Sequence, residues 1–401
     1  MTTNRSKRIT CRAVALIALL AAVTVVSTRL RADVETIGTC GGVNTSIPFT
    51  DVTGNNIFFC AIAEAYFSGL TNGTSSTTYS PANPVTREQM AAFVTRTLDQ
   101  SLRRGSQRAA LGQWWTQQFI SSTALTNVGL GPIAVESDGE CLWVADLNGD
   151  TVKRVRASDG KLIETWTGMD NPSSLLIANG RVYVTGKTAP GKLYAIDPDQ
   201  PAGNAVEIAD VGDNPVGMAF DGEHILTANQ GAQGSITNYH VPSGGKITYT
   251  NNFTLPCGIL YDGKNFWVID EILGNLRKVL ITGQVSPELN LGFTPLSMTF
   301  DGTNLWVGGQ DKVLVVRAAT GAVVATLTGN GLANGATGLA FDGERILVTN
   351  RFEDTVSLWR ATDLAPLGSF STGTDSSPLA VCSDGLNFWV TFYGTAKLAR
   401  Y

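Results

Sequence analysis

The polar and apolar positions of this chain fall into one recurring phrase. An Asp-Gly or Asn-Gly pair is followed by about two variable residues and then an apolar or aromatic trio. The phrase runs from Asp138-Gly139 before Leu142-Trp143-Val144, through Asn179-Gly180 before Val182-Tyr183-Val184 and Asp221-Gly222 before Ile225-Leu226, to Asp262-Gly263 before Phe266-Trp267-Val268. It continues with Asp301-Gly302 before Leu305-Trp306-Val307, Asp342-Gly343 before Ile346-Leu347-Val348, and Asp384-Gly385 before Phe388-Trp389-Val390. The turns are spaced by 41, 42, 41, 39, 41 and 42 residues.

Each repeat carries four short strand signals. The first often follows a proline, as at Pro215, and Asp-Gly is favoured hairpin chemistry between it and the second. The third follows a polar turn, as in Thr355–Trp359, and the fourth often follows a Thr-Gly pair such as Thr320-Gly321. Four antiparallel strands in ~41 residues make one propeller blade, which must stack on neighbours because it cannot bury both faces alone. The last repeat ends at Tyr401 after three strands, and a strand-like segment from Ile120 to Asn127 precedes the first repeat. That segment supplies the missing strand and closes the ring without a free edge. The expected fold is therefore mainly β: a seven-bladed β-propeller of four-stranded blades over residues 118–401, with a small α-helical module before it.

The repeated phrase resembles the YVTN/NHL-like seven-bladed propellers, a group that includes YncE-like surface proteins and streptogramin lyase. The resemblance covers about 70% of the chain and implies the fold; propellers host binding modules and enzymes alike. Trp143, Trp267, Trp306 and Trp389 are expected to pack between blades, with a ligand platform as the alternative.

Residues 44–98 have a different pattern. Phe49-Thr50-Asp51-Val52 opens it. Ile57 to Phe67 reads as a helix with Ile62, Ala63, Tyr66 and Phe67 on one stripe. Gly69-Leu70-Thr71-Asn72-Gly73 ends that helix, Tyr79-Ser80-Pro81 follows, and Thr86 with Gln89 forms a capping box for a second helix carrying Met90, Phe93, Val94, Thr97 and Leu98. This order resembles one S-layer homology (SLH) motif, although the usual tryptophan of the first helix is absent and only one motif is present. The resemblance implies non-covalent attachment to cell-wall polysaccharide or a peptidoglycan-linked polymer, with Arg87 and Gly73 at the positions that help bind wall polymer. A guanidinium offers an anionic sugar a planar fork of donors. A folding or dimerisation module is the alternative.

Composition sharpens this picture. The chain has 401 residues, 43 glycines, 16% charged residues and a net charge of −5, which excludes a coiled coil and a disordered chain. Arg5, Lys7, Arg8 and Arg12 precede an apolar run from Ala13 to Val26, and Leu30-Arg31-Ala32 is a passable cleavage site. Residues 1–32 therefore read as a secretory signal, too short in apolar length to span a bilayer. The expected mature protein is secreted, at the cell surface or envelope, with no transmembrane segment. Cleavage there removes six basic residues and no acidic one, leaving 23 basic against 34 acidic and a net charge of −11. Such a chain is a poor partner for nucleic acid.

An exported chain can keep disulfides. Cys40 and Cys60 bracket the opening of the module and are one candidate pair. Cys141 and Cys382 belong to blades that adjoin at the closure and are the second, which leaves Cys257 free. Residues 99–117, with Trp114 and Trp115, form the linker between module (33–98) and propeller.

Catalytic signals are sparse. His224 and His240 are the only histidines; there is no HExxH, Cys-x-x-Cys, Gly-x-Ser-x-Gly or phosphate loop. No cofactor, metal or catalytic residue is assigned, and the expected role is a non-enzymatic platform for an unidentified protein or small ligand. The alternative is a streptogramin-lyase-like lyase or hydrolase at the channel mouth. Strand direction places the Asp-Gly turns on one face of the ring. The other face is expected to present Asp146, Asn229, Asp270, Gln310 and Asn350, with Asp170, Asn171, Asp213, Asn214 and Asp375 on the entering links. This polar ring either binds a ligand or is turn chemistry.

Overall fold

A computed structural model describes residues 36–40, 43–67, 71, 73–87, 90 and 124–401 apart from 334. The expected signal segment 1–32, the expected Gly69-Leu70 turn, the body of the expected second helix and the expected linker 99–117 lie outside the described residues. The described residues fall into two compact units, one within residues 1–102 and one within 103–401.

The larger unit is a seven-bladed propeller of four-stranded antiparallel sheets. Blade 1 is β4 (Pro132–Ser137), β5 (Cys141–Asp146), β6 (Thr151–Arg156) and β7 (Leu162–Trp166). Blade 2 starts with β8 (Pro172–Ala178), blade 3 with β12 (Pro215–Phe220), blade 4 with β16 (Pro256–Tyr261), blade 5 with β20 (Pro295–Phe300) and blade 6 with β24 (Ala336–Phe341). Blade 7 contains β28 (Pro378–Ser383), β29 (Phe388–Phe392) and β30 (Lys397–Arg400), and its outer strand is β3 (Ala124–Asn127). β3 pairs with β30 from Ala124↔Arg400 to Asn127↔Lys397. The first and last propeller strands thus share one sheet, and the ring is tied by backbone hydrogen bonds.

The recurrent Asp-Gly is more than a tight turn. Only blade 2 uses a two-residue hairpin, with positive φ at Asn179 (50°) and Gly180 (70°). In the other blades a four-residue loop is organised by the aspartate carboxylate. Asp301 Oδ1 accepts the N–H groups of Thr303 and Asn304, and its Oδ2 accepts the Trp306 indole N–H at 2.8 Å. The same indole bond forms at Asp138–Trp143 (2.9 Å), Asp262–Trp267 (2.7 Å) and Asp384–Trp389 (2.7 Å). Where the repeat has no tryptophan, Asp342 holds Arg345 and Asp221 meets His224 instead. Burial works against the charged form of Asp262, but the Trp267 indole and the Asn265 and Lys264 N–H groups outweigh it and hold its carboxyl below the ordinary value. The glycine is needed for its backbone: Gly302 has φ +91° with open space around a would-be Cβ.

The four tryptophans are buried between blades. Third-strand cations cover three of them, Arg154 over Trp143, Lys278 over Trp267 and Arg400 over Trp389. They are core mass and not a ligand platform.

The smaller unit opens with a hairpin not foreseen from the sequence, β1 (Thr36–Cys40) against β2 (Val43–Ile47). Helix α1 (Phe59–Phe67) starts two residues later than Ile57, because Ile57 and Phe58 form a turn in which Asn56 Oδ1 accepts the Phe58 N–H and its carbonyl accepts the Phe59 N–H. Ile47, Phe49, Val52, Phe59, Ile62 and Ala63 form its core.

Cys40 and Cys60 are joined by a disulfide, closing a separation of 20 residues worth ~3 kcal/mol in the chain-entropy account. Cys141 and Cys382 are not joined; both are free and buried. The reason is strand alternation. Leu142 and Val144 face blade 7 and pack with Cys382 and Trp389, whereas Trp143 packs toward blade 2. Cys141, two residues before Trp143, shares its side and contacts Arg154, away from Cys382. Cys257 is also free, its thiol near the Pro295 carbonyl at 3.3 Å. Alkylation in denaturant without reductant, read by peptide mass, is therefore expected to label Cys141, Cys257 and Cys382 and to spare Cys40 and Cys60. Protection of Cys141 and Cys382 would contradict this pairing.

Candidate functional site

The polar ring expected on the second face resolves into turn chemistry. Asp146 Oδ1 accepts the Leu130 and Gly131 N–H groups, and its Oδ2 pairs with Lys153 Nζ at 2.8 Å. Asp270 accepts four backbone N–H groups, from Thr254, Leu255, Ile272 and Leu273. Asn229 donates to Ser235 and Thr237, and Asn350 to Thr355 and Ser357. All four are buried and turned into their own blades. Gln310 is exposed and lies one residue past the equivalent position, which is Gly309; blade 2 has Gly186 there and blade 7 has Phe392. The positions therefore do not converge as a seven-fold ring. Asp170, Asn171, Asp213 and Asp375 are exposed on the entering links, with Asn214 half-buried. The residues that matter on this face were not picked out from the sequence: Asp150 accepts the Asn171 N–H, and Asp354 accepts the Asp375 and Ser377 N–H groups, each carboxylate joining one blade to the next.

The histidines, far apart in sequence, are cross-strand partners in blade 3. His224 pairs with His240, their rings 4.9 Å apart. His224 Nδ1 lies 3.3 Å from Asp221, and His240 Nδ1 lies 2.7 Å from Ser243 Oγ within its own turn. No group of three or more metal-binding side chains occurs among the described residues.

The axial channel opens on the Asp-Gly face as a cavity of about 480 Å³. Its wall comes from the last residues of the seven inner strands, and two rings can be traced by register. One ring, in register with Trp143, Trp267, Trp306, Trp389 and their equivalents, is Glu136, Leu176, Ala219, Leu260, Thr299, Ala340 and Cys382. The next ring toward the turns is Ser137, Ile177, Phe220, Tyr261, Phe300, Phe341 and Ser383. Four consecutive blades thus place half-buried aromatic rings on the cavity. Across from them Ser137 and Ser383 are tied to their own turns, accepting the Gly139 and Gly385 N–H groups.

Glu136 is the only acidic or basic side chain of the cavity wall among the described residues, and it is exposed at the open mouth. The protein atoms of the surrounding channel wall nevertheless disfavour its charged form and raise its carboxyl to about 7. Burial first, then Glu136 and Asp384, push the neighbouring Cys382 thiol well up, so it stays protonated. Two further hollows, about 560 and 390 Å³, are clefts between adjacent blades, lined by Asp-Gly loops and third-strand ends of blades 7 and 1 and of blades 4 and 5. In the larger, Arg400 already bridges the blades through the Ala157 and Ser158 carbonyls.

In the module, Asp51 is the anchor of the Phe-x-Asp-Val opening. Burial opposes its charge, but the N–H groups of Tyr79 and Ser80 prevail and lower its carboxyl below the ordinary value. Phe49 meets Tyr66 edge-on, with ring centroids 5.2 Å apart. Gly73 has φ +77°, and a Cβ there would lie 2.5 Å from the Phe49 ring and 2.4 Å from the Thr78 carbonyl. Its glycine is thus required by packing, whatever else it does. Arg87 is exposed at the start of the second helix.

Residues 48–91 match the S-layer homology domain. No curated protein sequence matches the chain. Among solved structures, Kuenenia stuttgartiensis hydrazine synthase is similar with a TM-score of 0.58 and 17% identity, over 72% of this chain and 98% of that one. A streptogramin B lyase structure is similar with a TM-score of 0.55 and 15% identity, over 69% of this chain and 96% of that one. At such identities the likeness is one of fold.

The raised carboxyl has a measurable consequence. Below about pH 4.5 Glu136 is protonated whether the chain is folded or unfolded. As pH rises toward 7 the unfolded chain ionises first, so stability present at low pH is lost across this window. Denaturant midpoints of wild type are expected to fall relative to Glu136→Gln between pH 5 and pH 8. A gap independent of pH would contradict a raised carboxyl.

Proposed function

We propose that the chain is an exported protein held at the cell envelope by its SLH module, with the propeller presenting a ligand-binding cavity to the exterior. The observation that carries this reading is the SLH match at residues 48–91 with Arg87 exposed at a helix start. In this reading residues 1–32 are the removed signal, residues 33–98 bind cell-wall polysaccharide or a peptidoglycan-linked polymer without covalent attachment, and 99–117 link them to the ring. Arg87 pairs with anionic groups of the wall polymer through its guanidinium fork. Gly73 allows the chain to turn closely beside Phe49.

A channel-mouth lyase or hydrolase is the second reading, favoured by one observation: a carboxyl near neutrality suits general acid–base work. Such chemistry needs a second converging group, and the neighbouring thiol is driven away from its reactive form. Binding fits the cavity better than turnover.

Pelleting with purified wall sacculi tests attachment. Full-length wild type is expected to sediment, and Arg87→Ala with its disulfide intact is expected to lose roughly tenfold or more in affinity. Equal sedimentation of the two would contradict the role of Arg87.

A further inference from the structure

We propose that the axial cavity is a binding site for a small organic cation, a quaternary or protonated amine seated between the crescent of Phe220, Tyr261, Phe300 and Phe341 and the carboxylate of Glu136. This deepens the platform reading above and rests on it.

The composition of the two rings carries the argument. Six of the seven positions equivalent to Glu136 are apolar, hydroxyl or thiol side chains: Leu176, Ala219, Leu260, Thr299, Ala340 and Cys382. A carboxylate there does nothing for packing and finds no hydrogen-bond partner or ion pair in the described protein. Phe220, Tyr261, Phe300 and Phe341 each pack one side against the core between neighbouring blades and, being half-buried, leave the rest of the ring to the cavity, whereas blades 7 and 1 close the same position with serine. The cavity is therefore aromatic on one side and carries the carboxylate on the other.

Its chemistry excludes the other ligand classes. An anion would meet a carboxylate and no donor cation. A hard metal ion requires about six oxygen ligands, and the wall offers one carboxylate. A neutral apolar ligand would fill the crescent but strip water from Glu136, which costs free energy without compensation. An organic cation satisfies both sides. Aromatic faces attract it through their quadrupoles, and the carboxylate supplies a charge-assisted partner. The volume of about 480 Å³ suits a small molecule.

The groups around Glu136 do not compete for it. Val135 and Ser137 flank it on β4, Trp143 lies opposite on β5, Leu176 comes from β8, and Cys382 and Ser383 come from β28. None carries a charge at neutral pH. The remaining titratable and charged groups nearby are the Tyr261 phenol across the cavity, Asp384 beyond Cys382, and Asp138 and Arg154, which hold the Trp143 indole N–H and ring. A permanently charged ligand should thus see only Glu136 titrate. Its affinity should rise about tenfold from pH 6 to pH 8, in step with the ionised fraction of a carboxyl near 7.

Calorimetric titration of the full-length protein tests this, with benzyltrimethylammonium as probe and its neutral isostere, carbon replacing nitrogen, as control. The ammonium is expected to bind at least about tenfold more tightly than the isostere at pH 8. Glu136→Gln should reduce that preference several-fold and abolish the pH dependence, and Phe300→Leu should weaken the ammonium several-fold while sparing the isostere. Absence of ammonium binding, equal binding of both probes, or a preference and pH dependence left unchanged by Glu136→Gln would overturn the proposal. The two readings fail separately: Glu136→Gln should still sediment with sacculi, and Arg87→Ala should still bind the ammonium.

Discussion

One carboxylate interaction, repeated around the ring, organises the propeller. In most blades an aspartate at the end of the inner strand accepts backbone N–H groups of its loop with one oxygen and a second-strand indole N–H with the other. The indole belongs to a tryptophan with almost no solvent contact, so its N–H has nowhere else to go. A buried donor left unpaired costs about 1–3 kcal/mol, which makes the aspartate difficult to replace. The charge is kept at this depth because several donors converge on it, as the lowered Asp262 carboxyl illustrates. Glycine follows it because the loop requires positive φ.

An aspartate of this kind fixes the ends of six of the seven inner strands, a two-residue hairpin fixes that of blade 2, and those ends are the wall of the axial cavity. The residue immediately before each locked aspartate faces the mouth, so the fold delivers a ring of variable positions on an invariant frame. Phe220, Tyr261, Phe300 and Phe341 occupy four of them, and Glu136 stands one step deeper. On the opposite face the polar residues are used differently. Asp146, Asn229, Asp270 and Asn350 satisfy backbone and hydroxyl groups of their own blades, and Asp150 and Asp354 stitch adjacent blades together.

The fold was legible because its signals are periodic. The turn spacing revealed seven blades, and a final repeat one strand short, with a spare strand before the first, implied the closure that β3 and β30 make. The Cys40–Cys60 bridge was visible because both residues bracket one short segment. What stayed hidden depends on register and facing. Cys141 and Cys382 belong to adjacent blades but to opposite sides of β5, a distinction one residue of alternation decides. His224 and His240 meet only once β13 (His224–Asn229) and β14 (Ser235–His240) are aligned. The aromatic crescent left a trace, Phe-Asp-Gly or Tyr-Asp-Gly in four repeats against Ser-Asp-Gly in two, but its meaning requires knowing that the preceding residue faces the channel. Glu136 gave no periodic signal, because it is the departure from one.

The claim at the centre of this account is that the aspartate acts through the indole it holds. A double-mutant cycle in blade 5 measures that directly, using equilibrium unfolding of Asp301→Ala, Trp306→Phe and the double variant. The single substitution at Asp301 is predicted to destabilise by about 1–3 kcal/mol, with a coupling to Trp306 above roughly 0.5 kcal/mol. Additive effects would show that the turn and the tryptophan contribute independently, and would contradict the account.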